Sequence, residues 1–201
     1  MALPKSIREL SDLFSSLPGI GPKLSLRIAL YLAVSNKSLA KNLDSRIVDC
    51  LENISECSRC NNVTQGTALC EICDNEERDQ SIIMIVESPI DLYAIEDGAE
   101  YKGVYHVLKG VISPVNGVGP SDLSIDKLVS RAKDTPIKEI IFALNPDVDG
   151  DSTSMYIKSE VQEIDPNVKF TKLAQGIPTG SNIEYMSSQT LSESFKSRDL
   201  F

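Results

Sequence analysis

The chain has 201 residues, 41% of them apolar and 24% charged, with no tryptophan and a net charge of −9. That length holds one large domain or two to three small ones. No apolar run reaches the roughly 18 residues needed to span a bilayer, and the acidic balance excludes a uniformly basic coat for nucleic acid. The first fourteen residues already carry Lys5, Arg8, Glu9 and Asp12, so they lack the apolar stretch of a signal peptide and place the chain in the cytosol. Residues 1–55 hold seven Lys/Arg against five Asp/Glu, a net +2, which leaves −11 for the remainder. A nucleic-acid grip, if there is one, therefore falls to the N-terminal third, because phosphates repel the rest.

In chain order, Ser6 to Ser16 reads as a helix, with Ile7, Leu10, Leu13 and Phe14 on one face. The run Leu17-Pro18-Gly19-Ile20-Gly21-Pro22 breaks it, and Pro22 suits the first turn of a second helix that continues to about Val34. A third helix is expected over Leu39 to Ile54, with Cys50 as a core residue. Paired cysteines occupy 57–73, and a polar joint, 74–79, follows. From Ser81 the pattern changes. Apolar runs at Ile82–Val86 and Ile140–Leu144, and weaker ones at Val104–Leu108 and Val168–Leu173, alternate with helical stretches near 89–97, 124–133, 152–164 and 188–197. Apolar strands alternating with helices predict a parallel sheet covered on both faces.

Three motifs carry chemistry. In the first, Gly19 and Gly21 let the backbone turn tightly between two helices, and the second helix offers unpaired N–H groups and its positive end to an anion. Lys23 and Arg27, four apart, sit on one face beside the loop. Such a design grips phosphates without reading bases. The same residues also suit a plain corner between helices, with Lys23 and Arg27 merely solvated. The loop resembles the helix-hairpin-helix element of DNA repair proteins.

In the second motif, Cys57-x2-Cys60-x9-Cys70-x2-Cys73 supplies two knuckles of two thiolates each, enough to close a tetrahedral Zn²⁺ site. Four thiolates leave no open position for water, so that zinc would be structural; the competing reading is four buried cysteines without metal. In the third, Glu87 directly follows the first strand of the C-terminal part, and Asn145-Pro146-Asp147-Val148-Asp149-Gly150-Asp151 directly follows the Ile140 strand. Strand-end groups converge on one crevice in an open α/β sheet, where Glu87, Asp147, Asp149 and Asp151 could hold Mg²⁺. They could equally cap a helix over Asp151–Glu163. A strand-end Glu with a distant Asp-x-Asp resembles the Toprim domain of topoisomerases, primases and some nucleases, although Asn145 stands where the topoisomerase pattern has Asp. His106, the only histidine, reads as a packing or hydrogen-bonding residue. The Gly176–Ser181 run lacks the ending of a phosphate-binding loop.

The order of these motifs is more specific than any one of them. A helix-hairpin-helix, a four-cysteine finger and a Toprim-like domain resemble the RecR family of bacterial recombination mediators. The likeness runs through Ile85-Val86-Glu87-Ser88-Pro89, Tyr105-His106-Val107-Leu108, Ala143-Leu144-Asn145-Pro146 and Gly176-Ile177-Pro178 with Glu184-Tyr185. It departs from the family at Gly180-Ser181-Asn182, where Gly-Gly-Asp is expected, at Ser187, where an Asp is expected, and near Lys172 and Gln175, where an Arg is expected. The expected architecture is thus multidomain, α and α/β: a helix-hairpin-helix DNA-binding domain over 1–55, a four-cysteine zinc finger over 56–76, a Toprim domain with a parallel α/β sheet over 80–175, and a C-terminal oligomerisation or partner segment over 176–201. The resemblance implies a non-catalytic DNA-binding protein of recombinational repair that forms a homotetrameric ring. It implies that Lys23 and Arg27 face DNA and that the Toprim face, with Glu87 and Asp147, meets partner proteins. It further implies binding to RecO and RecF, and help in loading RecA at gaps coated by single-strand binding protein. Two other readings remain open: a Mg²⁺-dependent Toprim nuclease or primase-like enzyme using Glu87, Asp147 and Asp149, and a zinc-containing adaptor without DNA contact.

Overall fold

The computed structural model describes residues 3–98 and 101–198. The chain divides into two compact units, Met1–Ile54 and Ser55–Phe201. In the first, α1 (Lys5–Ser15) packs against α2 (Pro22–Leu30). The close approach is possible because the residues between them are small: Ser25 and Ala29 are buried, and Ser11 Oγ lies 3.2 Å from Ser25 Oγ. The second helix does not run unbroken to Val34 as expected. A π-helical turn, Tyr31–Ser35, follows it, and the Asn36 N–H donates to the Tyr31 carbonyl five residues back at 2.9 Å. Asn36 then caps α3 (Lys37–Asn53) by accepting the Leu39 N–H at 3.0 Å, which starts the helix two residues before its expected beginning. Cys50, expected in a core, is exposed. Helical spacing marks an apolar face but not what covers it.

The second unit begins within β1 (Ile54–Glu56), which pairs with β2 (Val63–Gln65) into a two-stranded sheet, and α4 (Glu71–Asp74) closes this region. Its main sheet has four parallel strands, β3 (Asp79–Val86), β4 (Gly103–Val107), β5 (Glu139–Ala143) and β6 (Lys169–Lys172), in the order β4-β3-β5-β6. The helices are α5 (Pro89–Gly98), α6 (Ile125–Asp134), α7 (Val148–Gln162) and α8 (Ser188–Lys196). The expected mixed α and α/β class, with a parallel sheet, is the fold observed.

Alternation along β3 sorts the core into two layers. Ile83 and Ile85 pack with Leu128, Ile157 and Val161 of α6 and α7, while Met84 and Val86 pack with Leu92 of α5, Tyr105 and Val107. Both faces of β3 are buried, which is why its sequence is a continuous apolar run instead of an alternating one. The edge strand β6 is short and carries an exposed lysine at each end, Lys169 and Lys172.

Candidate functional site

The N-terminal loop takes the shape its glycines permit. Gly19 has φ +77°, the left-handed region that glycine enters without a steric penalty. Gly21 is extended at the α2 N-terminus, where no side chain caps the helix and Pro22 occupies its first turn. Lys23 and Arg27 are both exposed, and neither has a carboxylate partner among the described residues. The structure thus sets an uncapped helix end and two unpaired cations side by side, an arrangement suited to one strand of phosphates.

The four cysteines converge. Cys57 follows β1, Cys60 lies on the turn to β2, and Cys70 and Cys73 bracket the first turn of α4. Asn61, at φ +61°, makes the tight bend, helped by its own N–H donating to the Cys57 carbonyl at 3.1 Å. All four cysteines are buried, and their sulfurs lie within 4.8 Å of one another. Cys60 Sγ and Cys70 Sγ are 3.6 Å apart, and the Asn62 N–H donates to Cys60 Sγ at 3.4 Å. Hydrogen bonding with the Cys70 and Cys73 sulfurs, reinforced by burial, pushes the Cys60 thiol up, while its partners in the same cluster pull Cys70 down. Four ionised sulfurs at this spacing repel one another, and a divalent cation balances them. The donor set and its closure therefore fit a structural metal ion. The knuckle leans on the main sheet: the Val107 N–H donates to the Cys60 carbonyl at 2.8 Å, and Asn61 Nδ2 donates to the Val107 carbonyl at 3.3 Å.

The strand-end acids behave differently. Glu87 and Asn145 meet at the carboxyl ends of neighbouring strands, where Asn145 Nδ2 donates to Glu87 Oε2 at 2.9 Å. Burial first, then Asp91 and Asp147, raise the Glu87 carboxyl, and the Asn145 bond opposes them. Asp147 caps α7 by accepting the Gly150 N–H at 2.8 Å, so that helix begins at Val148 and not near 152. Such a cap contributes about 1 kcal/mol. Asp149 lies in the first turn of α7, and Asp151 is 3.7 Å from Lys172 Nζ. At Gly150 an added Cβ would stand 2.2 Å from the Asn145 carbonyl oxygen, so only glycine allows this approach. The acids are not drawn together: among the described residues, the four cysteines are the one group of three or more ligand atoms at metal-binding spacing. His106, as expected, is a buried packing residue that donates from Nε2 to the Ser124 carbonyl at 2.8 Å.

Sequence reasoning missed the basic groups around the knuckle, Arg59, Lys127 and Arg131, and the Lys172 partner of Asp151. The latter two cations of the first group come from a helix more than fifty residues beyond the cysteines, a distance at which no spacing rule operates.

Comparison with known proteins adds the following. Residues 81–174 match the Toprim domain family. The chain is 41% identical over 198 residues to recombination protein RecR of Staphylococcus haemolyticus, covering 98% of each chain. It is 40% identical over 200 residues to recombination protein RecR of Chlorobium phaeovibrioides, covering 98% of this chain and 97% of that one. Among the described residues, no helix is long and apolar enough to cross a membrane.

Proposed function

The chain belongs to the RecR family of recombination proteins, and from that premise we propose that it is a DNA-binding mediator of recombinational repair that holds DNA without cutting it. The observation that carries this reading is the Gly19–Gly21 loop, with Lys23 and Arg27 exposed and unpaired in the one part of an acidic chain with net positive charge. Phosphate contacts of this kind position a protein on DNA without regard to base sequence.

The remaining parts take supporting roles. Cys57, Cys60, Cys70 and Cys73 hold one structural Zn²⁺ per chain and order a segment too short for a core of its own. Glu87, Asp147 and Asp151 are engaged by Asn145, the α7 N-terminus and Lys172, which favours a surface for partner proteins over a Mg²⁺-dependent active site. RecO and RecF are the partners in this reading, and together they help load RecA at gaps coated by single-strand binding protein in the cytosol. The 1–55, 56–76, 80–175 and 176–201 segments serve as DNA-binding domain, zinc finger, Toprim domain and assembly segment; residues 199–201 lie outside those described. Several copies in a ring concentrate weak basic loops on one strand and gain by avidity.

The test is Lys23→Glu with Arg27→Glu, read by fluorescence anisotropy on single-stranded and gapped oligonucleotides with Mg²⁺ present. The parent binds, loses affinity steeply as salt rises, and leaves the strand intact; the double variant binds at least roughly tenfold more weakly, since two charge reversals remove two phosphate contacts. Equal retention by the variant would favour an adaptor that does not touch DNA. Strand cleavage lost in Glu87→Ala would favour the nuclease.

A further inference from the structure

Three cations gather at the cysteine knuckle's cleft, and none of them has a carboxylate partner among the described residues. Arg59 donates to the Cys73 carbonyl at 2.9 Å and to Gln80 Oε1 at 3.3 Å. Lys127, on α6, donates to Asn61 Oδ1 at 2.5 Å and, at a long 3.5 Å, to the Cys57 carbonyl. Arg131, one turn further along α6, donates to the Tyr105 carbonyl at 3.1 Å. All three line one cleft of about 560 Å³, which Ser58 and Leu69 of the knuckle share.

Arg131 is the informative member. It is only 9% exposed, and a buried guanidinium without an anion is costly. Its one side-chain hydrogen bond among the described residues, to a neutral carbonyl, does not supply that anion. Asp134 borders the same cleft but forms no ion pair with it. Burial lowers the Arg131 pKa from its ordinary value, and the leading attractions that oppose this come from Cys73 and Cys60. The cysteines pose the converse problem. Four thiolates outweigh a divalent ion by two charges, and here those charges are sealed from water. A buried cation, Arg131, with the half-buried Lys127 beside it, and a buried excess of negative charge therefore lie close together in one unit of the fold.

We propose that Arg131, with Lys127 and Arg59 around the same cleft, is the built-in counter-charge of the metal–tetrathiolate centre, and that metal binding and the seating of α6 are coupled through it. This rests on the reading of the knuckle as a zinc site. Arg131 acts on the metal through the thiolates, so it is a positioning residue and not a ligand. Groups around the ligands set metal affinity, and losing one costs roughly 10- to 100-fold.

The experiment first measures zinc in the purified parent, because a zinc-free parent overturns the metal reading itself and the inference with it. Zinc affinity is then measured by competition with a chromophoric chelator for Arg131→Gln, which keeps an N–H donor but loses the charge, and for Arg131→Lys, which keeps the charge. The Gln variant is expected to bind zinc roughly 10- to 100-fold more weakly, and the Lys variant to recover most of that loss. The sulfur-to-metal charge-transfer band of the cobalt-substituted protein is expected to shift in the Gln variant and not in the Lys variant. A purely structural role would weaken both variants without dividing them by charge. Parent-like zinc affinity and an unshifted band in Arg131→Gln overturn the inference. Should that variant fail to fold, Lys127→Gln carries the same test, and an unchanged rate of zinc release from it overturns the inference.

Discussion

His106 shows how one side chain fixes a pH dependence. Burial, helped by the neighbouring cations Arg131 and Lys127, lowers its pKa from 6.5 to about 4, and the bond to the Ser124 carbonyl only partly opposes this. With Nε2 as the donor, Nδ1 is a buried acceptor without a partner. At neutral pH the ring is uncharged in the folded chain and mostly uncharged in the unfolded one. As the pH falls below about 6.5 the unfolded chain takes up a proton that the folded one refuses, so stability declines until the pH passes about 4. The full loss is roughly 3 kcal/mol. Urea unfolding at pH 7 and pH 4.5 should show a larger drop for the parent than for His106→Gln, and equal drops would refute this account. The cysteine site was legible in the sequence because its ligands are spaced locally, with two residues between them in each knuckle. Arg131 was not, because only the tertiary fold brings α6 to the knuckle. Cys50 misled because an apolar helical face looks the same whether its own core or another chain covers it.

At the scale of elements, α3 poses that question most sharply. It has 17 residues and none of them is buried. Leu43, Ile47 and Leu51, one turn apart, are all exposed. A continuous apolar stripe on a helix of this length is a contact surface by ordinary expectation, and a second copy of the chain is the occupant that the ring reading calls for. Ile47→Asp with Leu51→Asp should lower the mass seen by light scattering while leaving the helical circular dichroism of the subunit in place, since neither residue belongs to its own core. An unchanged mass would remove α3 from the assembly. The long apolar strands were readable in advance because both faces of the sheet are covered. The three-residue strands β1 and β2 were not, because so short a segment shows no period. The acidic run after β5 was read as helix-capping or metal-binding, and the structure shows Asp147 in the capping role, with the helix starting earlier than its apolar pattern suggested.

For the whole molecule, the division into two compact units has a thermodynamic counterpart. Only the second unit contains the four cysteines, so a zinc chelator should lower one calorimetric transition, by on the order of 10 °C, and spare the other. Both transitions moving together, or neither moving, would contradict this. The order of the main sheet leads further. Its two rims are β4 and β6. The first is buried along its length and is met at its end by the knuckle, whose backbone and Asn61 side chain take up the hydrogen-bonding groups of Val107. The second is a four-residue strand closed at both ends by lysine, a common guard against further pairing. With both rims of the main sheet guarded in this way, pairing through it with a strand of another copy is disfavoured. The ring proposed for this chain would then be built from meetings of helices and loops, which can close on themselves and stop.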